Sequence, residues 1–145
     1  MLGPVVIDAS VFVAAARPLE DAHDASRAVM AGLIAVDVPV LLPAIVIPEV
    51  TAALIRRGAV VDAVAELLNV LATWPGGSIV AVDVHLAEGA GRLAASLGLR
   101  GCDAVYVALA ERVDAVLITL DAAQRQRLPL GVTALTPAEA LAHLT

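Results

Sequence analysis

The sequence contains no lysine, so all nine of its basic side chains are arginine. That absence excludes the P-loop lysine that meets nucleotide phosphates, Schiff-base catalysis, and the lysine partner of a receiver-type aspartyl phosphate. Cysteine is almost as scarce. Cys102 stands alone, so neither an intramolecular disulfide nor a cysteine-based zinc cluster can form, and its expected place is as a small buried side chain. The aromatics are Phe12, Trp74 and Tyr106 only, too few for the stacking platforms of typical single-strand binders. No apolar run reaches a membrane-spanning length before a charge or a Pro-Gly break interrupts it. The opening "MLGPVVID" lacks the basic segment of a signal peptide, so a cytoplasmic protein without membrane attachment is expected. The three histidines, His23, His85 and His143, are scattered, and none neighbours a candidate acid.

What remains is apolar and acidic. Of 145 residues 60% are hydrophobic, and fifteen acids face nine bases for a net charge of -6. The length suits one domain over residues 1–145 with a substantial core. Short β-rich runs, "PVVID", "PVLLP", "SIVAVD" and "AVLIT", alternate with longer helical ones, which predicts an α/β fold whose central sheet is mainly parallel, with four to five strands. Continuous rather than alternating apolar strands are expected where helices cover both faces, in a three-layer α/β/α arrangement, and each run is read as an interior strand. Helices are predicted over about 22–35, through "AVVDAVAELLNVLATW", from about His85 to Leu97 despite Gly89 and Gly91, and over 103–113, where Cys102, Val105, Tyr106, Leu109 and Val113 fall on one face. A short helix follows Pro137, and "RPLED" reads as a loop between helices.

Within this apolar chain a few carboxylates stand out. Asp8 ends "VVID", Asp121 follows "AVLIT", and Asp103 opens "DAVYVALAERV"; taken singly, each reads as a helix cap or a first-turn acid. Glu49 does not, because it is the only ionisable group between Asp37 and Arg56. A carboxylate in such surroundings needs a cation, a metal or a proton. Taken together, the strand-end acids share the edge where parallel sheets bind ligands, and four converging carboxylates would repel one another unless divalent cations joined them. Mg²⁺ prefers such oxygen ligands and suits phosphodiester hydrolysis.

These residues carry a family resemblance. "VVIDASVFVAA", "PEVTAALIRRG", "GCDAVYVALAE" and "LITLDAAQR" resemble, in order and spacing, the four acidic motifs of the PIN-domain ribonucleases, particularly the VapC-type toxins of toxin–antitoxin pairs. The resemblance covers essentially the whole chain. It implies a Mg²⁺- or Mn²⁺-dependent endoribonuclease in which Asp8, Glu49, Asp103 and Asp121 form the catalytic, metal-binding quartet. Ser10 and Thr119 become auxiliary hydroxyls, and the implied partners are an RNA substrate, a cognate antitoxin protein and a second copy of the chain in a homodimer. Pro48, directly before Glu49, is comfortable only in a first helical turn or at a kink.

The negative net charge opposes general affinity for nucleic acid. Arg56, Arg57, Arg100 and Arg125 nevertheless flank the motif acids and are candidate phosphate contacts. Two other readings compete. A haloacid-dehalogenase-like phosphatase requires an Asp-x-Asp pair and a lysine, and the chain has neither at Asp8. A non-catalytic PIN-like module would use the same acidic pocket to receive an Arg-rich protein partner. The surplus apolar surface of the helices over 22–35 and 60–74 suits a dimer interface, an antitoxin groove or additional core.

Overall fold

The computed structural model describes residues 2–145. Its elements alternate as the apolar pattern requires: β1 (Val5–Ile7), α1 (Ala9–Ala15), α2 (His23–Ala35), β2 (Val40–Pro43), α3 (Val46–Arg56), α4 (Val61–Ala72), β3 (Gly77–Val80), α5 (Val84–Leu97), α6 (Gly101–Arg112), β4 (Val116–Ile118), α7 (Ala122–Gln126), β5 (Ala134–Leu135) and α8 (Pro137–Ala142). Local chemistry sets several boundaries. Asp83 caps α5 through Leu86 N–H, and Gly98 ends it in the left-handed conformation at φ 68°. These two ends outweigh Gly89 and Gly91 inside the helix. Thr136 and Glu139 form a reciprocal capping box on α8, with Pro137 in its first turn.

All five strands are parallel, in the order β3-β2-β1-β4-β5. The chain moves outward from β1 through β2 to β3, then returns across the sheet to β4 and β5. Right-handed crossovers therefore place α1 to α4 on one face and α5 to α7 on the other, giving three layers. Packing agrees: α5 lies against α6, α6 against β1, β2 and β4, and α2 against α1 and α8. The reversal between β1 and β4, in register at Ile7 and Ile118, opens a crevice at the carboxyl ends of these strands, the usual ligand position in such sheets.

Three expectations are corrected. Only β1, β2 and β4 are interior; β3 is an edge strand with Ser78 and Ile79 exposed, because it has a single neighbour. The helix over 103–113 has no single buried face: Asp103 to Ala110 are all buried, since α6 lies between the sheet and α5. Cys102, expected inside, is exposed at the start of that helix. Among the described residues, no single helix is long and apolar enough to cross a membrane.

Candidate active site

Asp8 follows β1 directly, and its Oδ2 accepts the Ser10 N–H at 2.9 Å, capping α1. Asp121 stands three residues beyond β4 and caps α7, its Oδ1 accepting the Gln124 N–H at 3.1 Å. Asp103 lies in the first turn of α6. Capping and convergence are thus one arrangement: the amides that begin α1 and α7 hold two aspartates at the carboxyl edge of the sheet. Glu49 comes from α3. That helix starts at Val46, which puts Pro48 in its first turn, where the missing N–H would have had no helical partner. Glu49 is consequently placed without a kink, and its Oε1 accepts the Tyr106 hydroxyl hydrogen bond at 2.7 Å.

All four acids line one open cleft of about 740 Å³, together with Ser10, Cys102, Arg56, Arg57 and Arg100. The Ser10 hydroxyl accepts the Leu120 N–H at 3.1 Å, and Thr119 Oγ1 accepts the Asp121 N–H at 3.1 Å. Both hydroxyls thereby shape the turn that carries Asp121. Thr119 is fully buried and does not line the cleft. Arg100 spans two acids, its Nε 2.8 Å from Asp103 Oδ2 and its Nη2 3.1 Å from Asp121 Oδ2. Arg125 is not part of the cleft wall, and its charge acts on Glu139 instead.

The electrostatics follow from crowding. Burial, offset in part by the Ser10 hydrogen bonds and reinforced by Asp103 and Asp121, raises the Asp8 carboxyl above its ordinary range. Burial likewise raises Glu49, against the Tyr106 hydrogen bond and with the charges of Asp8 and Asp103. The Arg100 guanidinium is held more firmly protonated by its hydrogen bond to Asp103. Among the described residues, no three His, Cys, Asp or Glu side chains stand ready to close around a single ion. Carboxylates that share an open cleft without closing around one point fit Mg²⁺, which retains several waters and takes only one or two protein carboxylates directly, better than a cation enclosed by protein. The same donors accept a guanidinium, as Arg100 demonstrates.

The residues that sequence reasoning passed over are Tyr106, read only as core, and Gln124, whose buried Nε2 donates to the Asp103 carbonyl at 3.1 Å. Tyr106 carried a signal, a polar group inside an apolar segment that must find a partner when buried; Gln124, in the polar run "DAAQRQR", carried none.

The PIN domain family model matches residues 5–127, well over half of the chain. The chain belongs to the PIN-domain family. Its fold is shared with VapC20 of Mycobacterium tuberculosis, described as a sarcin-ricin loop cleaving toxin, at 17% identity and a TM-score of 0.72, over 89% of this chain and 98% of that one. PAE2754 of Pyrobaculum aerophilum aligns at 22% identity and a TM-score of 0.67, over 98% and 89%. A chain of the VapBC2 structure from Rickettsia felis, solved bound to a DNA fragment from their promoter, aligns at 14% and 0.69, over 92% and 98%. By sequence, no curated protein matches. This PIN domain thus has the fold of VapC-type proteins, with the quartet suggested by its motifs gathered at the carboxyl edge of its sheet.

Proposed function

We propose that this PIN domain is a Mg²⁺- or Mn²⁺-dependent endoribonuclease and the toxin of a toxin–antitoxin pair. The observation that carries the reading is the convergence of Asp8, Glu49, Asp103 and Asp121 on one cleft at the switch point of the sheet. These four residues would hold the cation, one or two of them directly and the others through its waters. When bound there, it supplies Lewis acidity, acidifying a water and offsetting the charge that grows on the phosphodiester. Asp8 and Asp121 each commit one oxygen to a helix N-terminus, so their carboxylates reach the cleft pre-oriented. Arg56 and Arg57 on the cleft wall pair with substrate phosphates, and Arg100 joins them on leaving Asp103 and Asp121. With few aromatics available, substrate choice rests on backbone shape and polar contacts rather than on base stacking.

The test is cleavage of RNA by the purified protein with Mg²⁺ or Mn²⁺ and with EDTA, alongside Asp8→Asn. Activity that requires the metal and vanishes in a folded Asp8→Asn variant is expected; undiminished cleavage by that variant would sink the reading.

A non-catalytic module is the second reading, and the Arg100 bridge favours it specifically, because it shows two of the acids accepting a guanidinium. An Arg-bearing segment of a cognate antitoxin would occupy the same position in either case. Calorimetry separates the readings: a module binds an Arg-rich peptide without divalent metal and cleaves nothing at any metal concentration. Exposed Ile55, Val60, Val61 and Val70 support a homodimer interface or an antitoxin seat, and light scattering of the isolated chain tests the homodimer.

A further inference from the structure

We infer that Tyr106 is a positioning residue for Glu49, an inference that rests on the metal-site reading above. Tyr106 is the only tyrosine of the chain and is fully buried within α6. A phenol at such a place costs stability unless its hydroxyl is paired, and a phenylalanine would fill the same space without that cost. Its partner is Glu49 Oε1, at 2.7 Å, on a helix 57 residues away in sequence.

The placement has a structural reason. α3 packs mainly against α1 and α4, and among the described residues no backbone amide caps the Glu49 carboxylate. Asp103 and Tyr106 lie three residues apart on α6, so they occupy neighbouring positions on one helix surface. One rigid, buried helix therefore presents an acid of the quartet and the donor that orients a second acid from the opposite wall. The hydroxyl engages Oε1 and leaves Oε2 for the cleft that Glu49 lines. The Cys102 thiol lies beside the same carboxylate, four residues before Tyr106. Hydrogen-bond partners of this kind behind a metal ligand typically contribute about 10-fold or more to metal affinity.

The experiment is a double-mutant cycle on Mn²⁺ affinity, read by the electron paramagnetic resonance of free Mn²⁺, with Tyr106→Phe, Glu49→Gln, their combination and Asp8→Asn. Tyr106→Phe is expected to stay folded and to weaken Mn²⁺ binding about 10-fold. Added to Glu49→Gln, it should weaken binding no further, because its effect passes through Glu49. Fluorine labelling gives an independent readout that removes no side chain: 3-fluorotyrosine places one ¹⁹F signal at Tyr106, which Mg²⁺ should shift in the wild type and not in Glu49→Gln.

Equal affinity of Tyr106→Phe and wild type, or full multiplication of the two losses in the double variant, overturns the role of Tyr106 while the metal site stands. Mn²⁺ binding that Asp8→Asn leaves intact overturns the metal-site reading, and this role with it.

Discussion

On the sheet side of the cleft, Asp8 and Asp121 are held by backbone amides of the helices they begin, whereas across it Glu49 is held by the hydroxyl of one tyrosine. The difference concerns what each carboxylate depends on. A capping acid is oriented by its own chain, within two or three residues, and keeps its place as long as the helix forms. Glu49 is oriented by a residue distant in sequence, so its geometry depends on how α3 and α6 pack. The aspartate wall should tolerate distant changes, and the glutamate wall should register them.

The most severe way to break the comparison is at the aspartate wall itself. Asp121→Asn should lower RNA cleavage at least about 100-fold, because it removes charge from the proposed cation site, yet leave thermal stability nearly unchanged, because Asn also caps helices. Asp121→Ala should lose cleavage equally and about 1 kcal/mol of stability in addition, seen in urea unfolding. Equal stability of the two variants would contradict the capping role.

Acidification should act on both walls. Asp8 and Glu49 are raised above ordinary carboxylate values, so protons compete with metal at a higher pH than usual. Mn²⁺ affinity should therefore fall with decreasing pH, by about 10-fold per unit for one displaced proton, beginning above the usual carboxylate range. The metal-free protein should show the opposite sign in stability. Between the ordinary and raised values the folded chain binds more protons than the unfolded one, so these two groups add stability as pH falls through the raised values, and the gain is complete at the unfolded ones. Denaturant titrations across pH with and without Mn²⁺ check both signs.

Asp8→Asn should raise the stability of the metal-free protein at neutral pH by about 1 kcal/mol, or roughly 3 °C in melting temperature, while abolishing cleavage. The amide keeps the cap on α1 and removes a buried charge repelled by Asp103 and Asp121. A lower melting temperature would mean that the carboxylate stabilises the resting fold. The smallest effect belongs to Arg100, whose side chain is 79% exposed. Its ion pairs are correspondingly weak, so Arg100→Ala should tighten Mn²⁺ binding only about two- to five-fold by freeing Asp103 and Asp121. Weaker binding in that variant would show that the bridge does not compete with metal.

The acidic motifs were legible in the sequence because carboxylates are costly in apolar surroundings, and four of them could not all be explained as caps. The positions of β1 to β4 were legible from continuous apolar runs, and the parallel sheet from their alternation with helices; β5, only Ala134–Leu135, is too short to leave such a run. The edge position of β3 was not, because the number of neighbours a strand acquires depends on the path of the whole chain. Cys102 was misplaced for a related reason: the residues that follow it on α6, Asp103 to Ala110, are buried, but the start of that helix opens onto the cleft. Arg100 and Arg125 appeared equivalent as arginines near motif acids. Only the fold separates them, one lying across two aspartates and the other outside the cleft wall.

By itself the sequence determined which carboxylates stand at the candidate site and their strand-end supports, because capping, strand propensity and the cost of a buried charge act over a few residues. It also determined that no lysine and no intramolecular disulfide takes part. The tertiary structure decided which hydroxyl reaches Glu49, which arginine lies between Asp103 and Asp121, and which of the buried residues meet the cleft. The Arg100–Asp121 and Tyr106–Glu49 pairings join positions 21 and 57 residues apart, and at such separations only the packing of helices on the sheet selects partners.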